Sequence, residues 1–268
     1  MKKLALALAA TAVFAGQAIA ADMPMKAARP IAAPIAVANW TGCYIGGGIG
    51  YGMWNQETVG RDAITGVAFT GVATGGGRGW LGGVQGGCDY QFAGPMGSWV
   101  IGAFADANWG FHQNGRPHFT VDLTADEEKQ DYTWAVGARI GYLVTPQLLT
   151  YFSGGYTETR FQATNLINEF IPPGPPTGLF IGSHTYKGWF LGSGLEYAVA
   201  AFPGLTVKTE YRFSEFDNDR IPQLCSSVAL CGVVGATGVA YDSKKFTQTV
   251  MTSLVYKFNW GGPVVAKY

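Results

Sequence analysis

Few residues in this chain are arranged for chemistry. Histidine occurs at three positions only: His112, His118 and His184. His112 and His118 could together hold a metal ion. Ordinary polarity of a connecting segment accounts for them more simply. Ser183 and His184 are adjacent, but adjacency does not define a nucleophile with its base. Asp106 and Glu210 are carboxylates that a fold could bring near one another. The run Gly75-Gly76-Gly77-Arg78-Gly79 lacks the lysine and the context of a phosphate-cradling loop. It reads as a flexible connection. None of these groups implies a cofactor, and the expectation is a protein that is not an enzyme.

The elements that position these residues follow from composition. The chain has 268 residues, 48% hydrophobic and only 13% charged, where soluble domains carry about 25% charge. Glycine occurs 39 times and aromatics make up 14%. Eighteen basic residues balance eighteen acidic ones. That balance excludes the basic footprint of a nucleic-acid binder and the acidity of a disordered chain. The glycine load opposes long helices. Many glycines, many aromatics and few charges fit a β-protein with an apolar exterior.

Residues 1–20 read as a secretory signal peptide. Lys2 and Lys3 begin it, Leu4 to Ala15 is apolar, and Ala18-Ile19-Ala20 fits a small-x-small cleavage site. The alternative, a membrane anchor, is disfavoured because a bilayer needs about 20 apolar residues. Cleavage leaves 16 basic residues (18 less Lys2 and Lys3) against 18 acidic, a net of −2. Residues 21–38, with Pro24, Pro30 and Pro34, read as an extended periplasmic lead-in.

From there, alternation governs. Phe246, Val250, Leu254, Tyr256 and Phe258 share one parity, and Thr247, Thr249, Ser253 and Lys257 the other. That is period two rather than 3.6. Eight such strands are expected, near 40–54, 79–92, 99–110, 132–145, 148–161, 185–199, 204–216 and 246–258. Each is long enough to cross hydrocarbon when tilted. Tight turns near 94–97, 146–147 and 202–204 alternate with long segments at 55–78, 111–131, 162–184 and 217–244. The fold expected is all-β: an eight-stranded antiparallel transmembrane β-barrel, up-and-down, over 39–258. The long loops would lie outside the cell. Residues 259–268 form a short C-terminal extension.

Parity assigns an inward polar set: Gln85, Asp89, Asp106, Asn108, Arg139, Glu196, Lys208, Glu210, Arg212 and Lys257. It reads as a charge-paired interior, because eight strands leave little free lumen. A selectivity lining is the other reading. Trp40, Trp80, Trp99, Tyr142, Tyr197 and Phe258 suit interfacial belts. Pairing strand one with strand two near 54 and 79 gives an index sum of 133. Cys43 and Cys88 sum to 131, so a cross-strand disulfide is plausible. Small apolar free thiols are the competitor. Cys225 and Cys231 could staple a turn in the last loop.

The segments Asn39-Trp40-Thr41-Gly42-Cys43-Tyr44-Ile45-Gly46-Gly47, Trp80-Leu81-Gly82-Gly83-Val84-Gln85-Gly86-Gly87 and Leu254-Val255-Tyr256-Lys257-Phe258 bracket nearly all of the mature chain. Together they resemble the small outer-membrane β-barrel proteins of α-proteobacteria, the Omp25/Omp31 type within the OmpA-like barrel superfamily. The resemblance implies an abundant envelope protein that supports membrane integrity. Some members are called porins, and members are not generally enzymes. Two departures stand out. Cys43 occupies a position where the family commonly has an aromatic. The chain also runs past Phe258 to Tyr268, so either aromatic could serve as the assembly signal. The expected partners are outer-membrane lipid, lipopolysaccharide and the assembly machinery, with no nucleic acid. Eight strands favour a monomer. A structural barrel with surface loops is the first functional expectation. A small-solute channel and a surface adhesion or binding protein are the alternatives.

Overall fold

The computed structural model describes residues 38–110, 114–120, 123–168, 170 and 176–258. The segments read as signal peptide (1–20), lead-in before Ala38 and C-terminal extension (259–268), together with His112, lie outside the described residues. The strands are β1 (Gly42–Asp62), β2 (Ala73–Gly94), β3 (Gly97–Gly110), β4 (Asn114–Gly115), β5 (Leu123–Ala125), β6 (Glu128–Thr145), β7 (Leu148–Phe161), β8 (Thr164–Asn168), β9 (Pro176–Ile181), β10 (His184–Ala198), β11 (Leu205–Phe216), β12 (Asp219–Cys225) and β13 (Gly235–Phe258).

Eight long strands form a ring. β1, β2, β3, β6, β7, β10, β11 and β13 pair in that order, each antiparallel to the next. β13 pairs back with β1, from Cys43 opposite Phe258 to Asp62 opposite Val239. Closure satisfies the backbone groups that an open edge would leave bare in hydrocarbon. Alternation then sends every second side chain inward.

The strands exceed the sequence expectation at one end. β1 continues to Asp62, β2 starts at Ala73 and β13 starts at Gly235. The segments read as long loops therefore carry strand. The start of β13 pairs with β12, and the sheet continues through β9 and β8 to β5. β4 bridges β2 and β6. The glycine run is part of β2 rather than a flexible connection. A Cβ on Gly75 would lie 2.5 Å from the Cα of Pro117, and one on Gly77 would lie 2.4 Å from the carbonyl oxygen of Asn114. Glycine is what lets that loop close on the wall.

At the opposite end the connections are tight. Gly94 pairs with Gly97 around Pro95-Met96, and Met96 adopts a φ of 69°. Glycine fits that backbone at no steric cost, whereas a Cβ is strained there. Met96→Gly is expected to stabilise the barrel by about 1 kcal/mol, read as a higher urea midpoint in lipid vesicles.

Both disulfides form. Cys43 bonds to Cys88, its direct cross-strand partner. Cys225 bonds to Cys231 across a short helix, α1 (Val228–Cys231). Ser227 caps α1 and Gly232 ends it in the left-handed conformation.

Candidate functional site: the closed lumen

The inward polar residues meet in three tiers. Nearest the tight turns, Arg139 donates from Nε to Asp89 Oδ1 at 2.9 Å and from Nη1 to Glu196 Oε2 at 2.8 Å. Lys257 Nζ donates to the other Asp89 oxygen at 2.8 Å and lies 3.3 Å from Glu196. Thr206 donates to Glu196 at 2.7 Å. The Arg139 guanidinium also lies over the rings of Tyr44 and Tyr151 at 4.8 and 5.1 Å. Two carboxylates therefore face two cations, which offsets the cost of burying them.

The middle tier gathers Gln85, Asp106, Lys208, Glu210 and Arg212. Arg212 holds Asp106 in a two-pronged contact at 3.0 and 2.8 Å and reaches Glu210 at 2.8 Å. Lys208 donates to Gln85 at 2.7 Å and lies 3.1 Å from Glu210. Tyr151 donates to Glu210 at 2.8 Å. Asn108 donates to Asp106 at 2.9 Å. All ten inward residues named from the sequence are thus placed inside, in two coupled networks.

A third tier lies above these. Lys245 is 0% exposed, donates to Glu128 at 2.8 Å and contacts Gln56. Its ammonium lies 4.6 Å from the ring centroid of Trp54 and 4.0 Å from that of Phe161. Sequence reading missed this tier because it placed 217–244 in a loop and started the last strand at Phe246. Extending the parity of Thr247 and Thr249 by one step would have found Lys245.

Apolar plugs close both ends. At the long-loop end Trp54, Phe119, Phe161, Tyr186, Phe216 and Tyr241 form a buried cluster, joined by residues of β5, β8, β9 and β12. At the tight-turn end Trp40, Val100, Leu143, Leu149 and Tyr151 form another. Trp40 corrects an expectation. It is not in an interfacial belt but 0% exposed inside the barrel, with Nε1 donating to the Pro146 carbonyl at 3.1 Å. Its strand starts later than expected, so the parity argument does not apply to it.

Between the middle and upper tiers lies a cavity of about 50 Å³, lined by Gln85, Asp106, Asn108, Gln130, Lys208 and Arg212 among others. The carbonyl oxygens of Asn108 and Gln130 have no donor within the protein. That suits a chamber holding a few waters.

The residues weighed for chemistry are dispersed. Ser183 accepts from Arg160 at 3.1 Å, whereas His184 Nε2 lies 3.0 Å from Asp219 Oδ2. His118 Nδ1 lies 3.0 Å from the Thr124 hydroxyl. Asp106 and Glu210 meet through Arg212 as part of the ion network. Among the described residues no three histidine, cysteine or carboxylate side chains cluster as metal ligands would.

A family model described as the outer membrane protein β-barrel domain matches residues 6–258. The chain belongs to that family. Two relatives bear the name 31 kDa outer-membrane immunogenic protein, one from Brucella melitensis and one from Brucella suis. Each is 30% identical over 269 residues, covering 96% of this chain and 100% of the relative. Among solved structures, neisserial surface protein A is 10% identical, with a TM-score of 0.35, covering 78% of this chain and 97% of that one. Ail of Yersinia pestis is 11% identical, with a TM-score of 0.30, covering 78% of this chain and 99% of its own.

As an outer-membrane protein β-barrel domain, the chain resides in the bacterial outer membrane, and its outward face meets lipid. Val84, Ile101, Ile140, Leu191, Leu195 and Leu254 are exposed there. Trp80, Trp109, Trp189 and Tyr51 stand on the outward face toward the long loops, and Tyr90, Phe92, Tyr197, Tyr256 and Phe258 toward the tight turns. Two aromatic girdles therefore bound an apolar band.

Above the band, Arg220 donates to Asp242 at 2.8 Å and Arg61 contacts the other carboxylate oxygen. The Arg220 hydrogen bond, with that of Arg61, holds the Asp242 carboxyl below its ordinary range, against the opposing effect of burial. A lowered folded pKa stabilises above the unfolded value and is lost as pH falls through the lowered one. Hydrogen-exchange protection at 60–67, measured relative to the intrinsic rate at each pH, is expected to be constant above about pH 4 and to fall below it.

Proposed function

We propose that this outer-membrane barrel is a structural envelope protein, with its long-loop end facing outward as a rigid platform. The sealed lumen carries this reading. Three ion-paired tiers lie between two apolar plugs, so the interior serves stability rather than passage. Its partners are then outer-membrane lipid and lipopolysaccharide around the band, and the assembly machinery during insertion. No catalytic step belongs to this reading.

A gene deletion with plasmid complementation tests it. Loss of the protein is expected to raise sensitivity to detergent and uptake of a hydrophobic dye, with uptake of small sugars unchanged. Reduced sugar uptake with an intact permeability barrier would support the channel alternative instead. Epitope tags test orientation. Tags near 66 or 233 are expected to bind antibody on intact cells, and tags near 95, 146 or 203 are not.

One observation favours a second reading, surface binding. Ile64 is 91% exposed, and Val67, Phe69, Val72, Val228, Leu230 and Val234 are also exposed at the long-loop end. No charged residue occurs from 63 to 77 or from 221 to 241. Large uncharged apolar patches commonly mark contact surfaces. The Ala63 N–H donates to the Gly238 carbonyl at 2.8 Å, which joins the two loops.

A further inference from the structure

The lipid-facing surface is not uniformly apolar. Ser193 on β10, Thr209 and Tyr211 on β11, and Gln248 and Thr252 on β13 all carry outward parity. Thr209 stands opposite Thr252, Tyr211 opposite both Ser193 and Val250, and Phe213 opposite Gln248. The five polar side chains are therefore contiguous across three neighbouring strands. Ser193 and Thr252 lie at central depth, whereas Gln248, two residues from Phe246 and opposite Phe213, lies toward the long-loop girdle. Thr252 lies midway between Phe246 and Phe258, about 20 Å along the strand from either ring. Ser193 lies midway between Trp189 and Tyr197.

Internal bonding leaves part of this polarity unmet. The Thr209 and Thr252 hydroxyls are 3.0 Å apart, so one donates and the proton of the other remains. Tyr211 donates to Gln248 Oε1 at 3.2 Å, which leaves the Gln248 amide N–H groups. The outward surface of β2, β3 and β6 differs. Val84, Ala103, Ala105, Val136, Ala138 and Ile140 occupy its central positions, all apolar. Unmet donors in hydrocarbon are costly, and polar side chains at that depth act as contacts between membrane segments.

We infer that the polar strip on β10, β11 and β13 is an intramembrane contact between two copies of this chain. Two copies inserted in the same direction bring residues of equal depth face to face. A strip with both hydroxyl and amide donors and acceptors complements itself across such a two-fold axis. Lipid headgroups do not reach the depth of Ser193, Thr209 and Thr252. Leu191, Leu195, Val250 and Leu254 flank the strip and supply apolar packing around it. The inference departs from the monomer expected of eight strands. It rests on the outer-membrane location and not on the proposed envelope role.

Site-directed cross-linking tests it. All four native cysteines are in disulfides, so an introduced thiol is unambiguous. In outer-membrane fragments under mild oxidant, Thr252→Cys is expected to give a dimer of twice the chain mass, and Ala105→Cys on the opposite face to remain single. In phosphatidylcholine vesicles, the combined variant Thr209→Val, Gln248→Leu, Thr252→Val is expected to associate about tenfold more weakly than the native chain. Its folded fraction, judged by gel mobility without boiling, is expected to be unchanged. Equal cross-linking at 105 and 252, no product at 252, or a product with a different protein would overturn the inference. Undiminished association of a folded triple variant would do the same. If the triple variant fails to fold, the 252-versus-105 comparison decides alone.

Discussion

Replacing Arg139 by alanine is expected to destabilise the folded barrel by about 3–5 kcal/mol. Arg139 is fully buried and is the one residue of its tier that bonds both Asp89 and Glu196 through separate nitrogens. Its loss leaves Lys257 alone between two buried carboxylates. One negative charge is then uncompensated in a low-dielectric interior. Equilibrium urea unfolding in lipid vesicles measures the loss. Adding Glu196→Gln to Arg139→Ala is expected to recover part of it, because the surplus charge is removed along with its partner. A simple packing role for Arg139 predicts no such recovery, since the glutamine fills the same space as the glutamate.

Trp54→Ala is the second large effect, about 3–5 kcal/mol by cavity formation. The indole is 0% exposed, packs edge-on against Phe161 at 5.1 Å and lies beneath the Lys245 ammonium at 4.6 Å. Its cluster joins the long-loop ends of β7, β10 and β11 to the strand extensions and short strands at that end, so the damage is expected to be local to it. Limited proteolysis should cut between 111 and 131 and between 217 and 234 in the variant. The unboiled protein should still migrate as a folded barrel. Trp54→Phe retains most of the apolar volume and is expected to resist cleavage.

Those two positions mark what the sequence could and could not disclose. Arg139 was legible, because its tier is written in parity. Polar residues recur every second position in strands whose other face is apolar, and a closed sheet has only one inside. The Cys43–Cys88 pair was legible for the same reason, since one hairpin register fixes every cross-strand partner. The role of Trp54 was not legible. It lies where β1 leaves the apolar band, and its partners Phe119, Phe161 and Tyr241 come from three distant segments. Short strands such as β5 and β8 carry too few residues to show a period, and pairing with neighbours creates them. Trp40 misled for a related reason. An aromatic at the expected start of the first strand has the composition of an interfacial anchor, and only its contact with Pro146 places it inside.

Planar-bilayer recording of the purified, refolded, disulfide-intact protein tests the central claim most directly, that the lumen is a sealed and self-paired interior. With the Trp40 plug below, the Trp54 plug above and three ion-paired tiers between them, the bilayer is expected to stay at its baseline conductance after insertion. Insertion itself is verified by gel mobility of protein recovered from the membrane. Uniform, long-lived conductance steps that recur in each experiment and scale with the amount of folded protein would contradict the account.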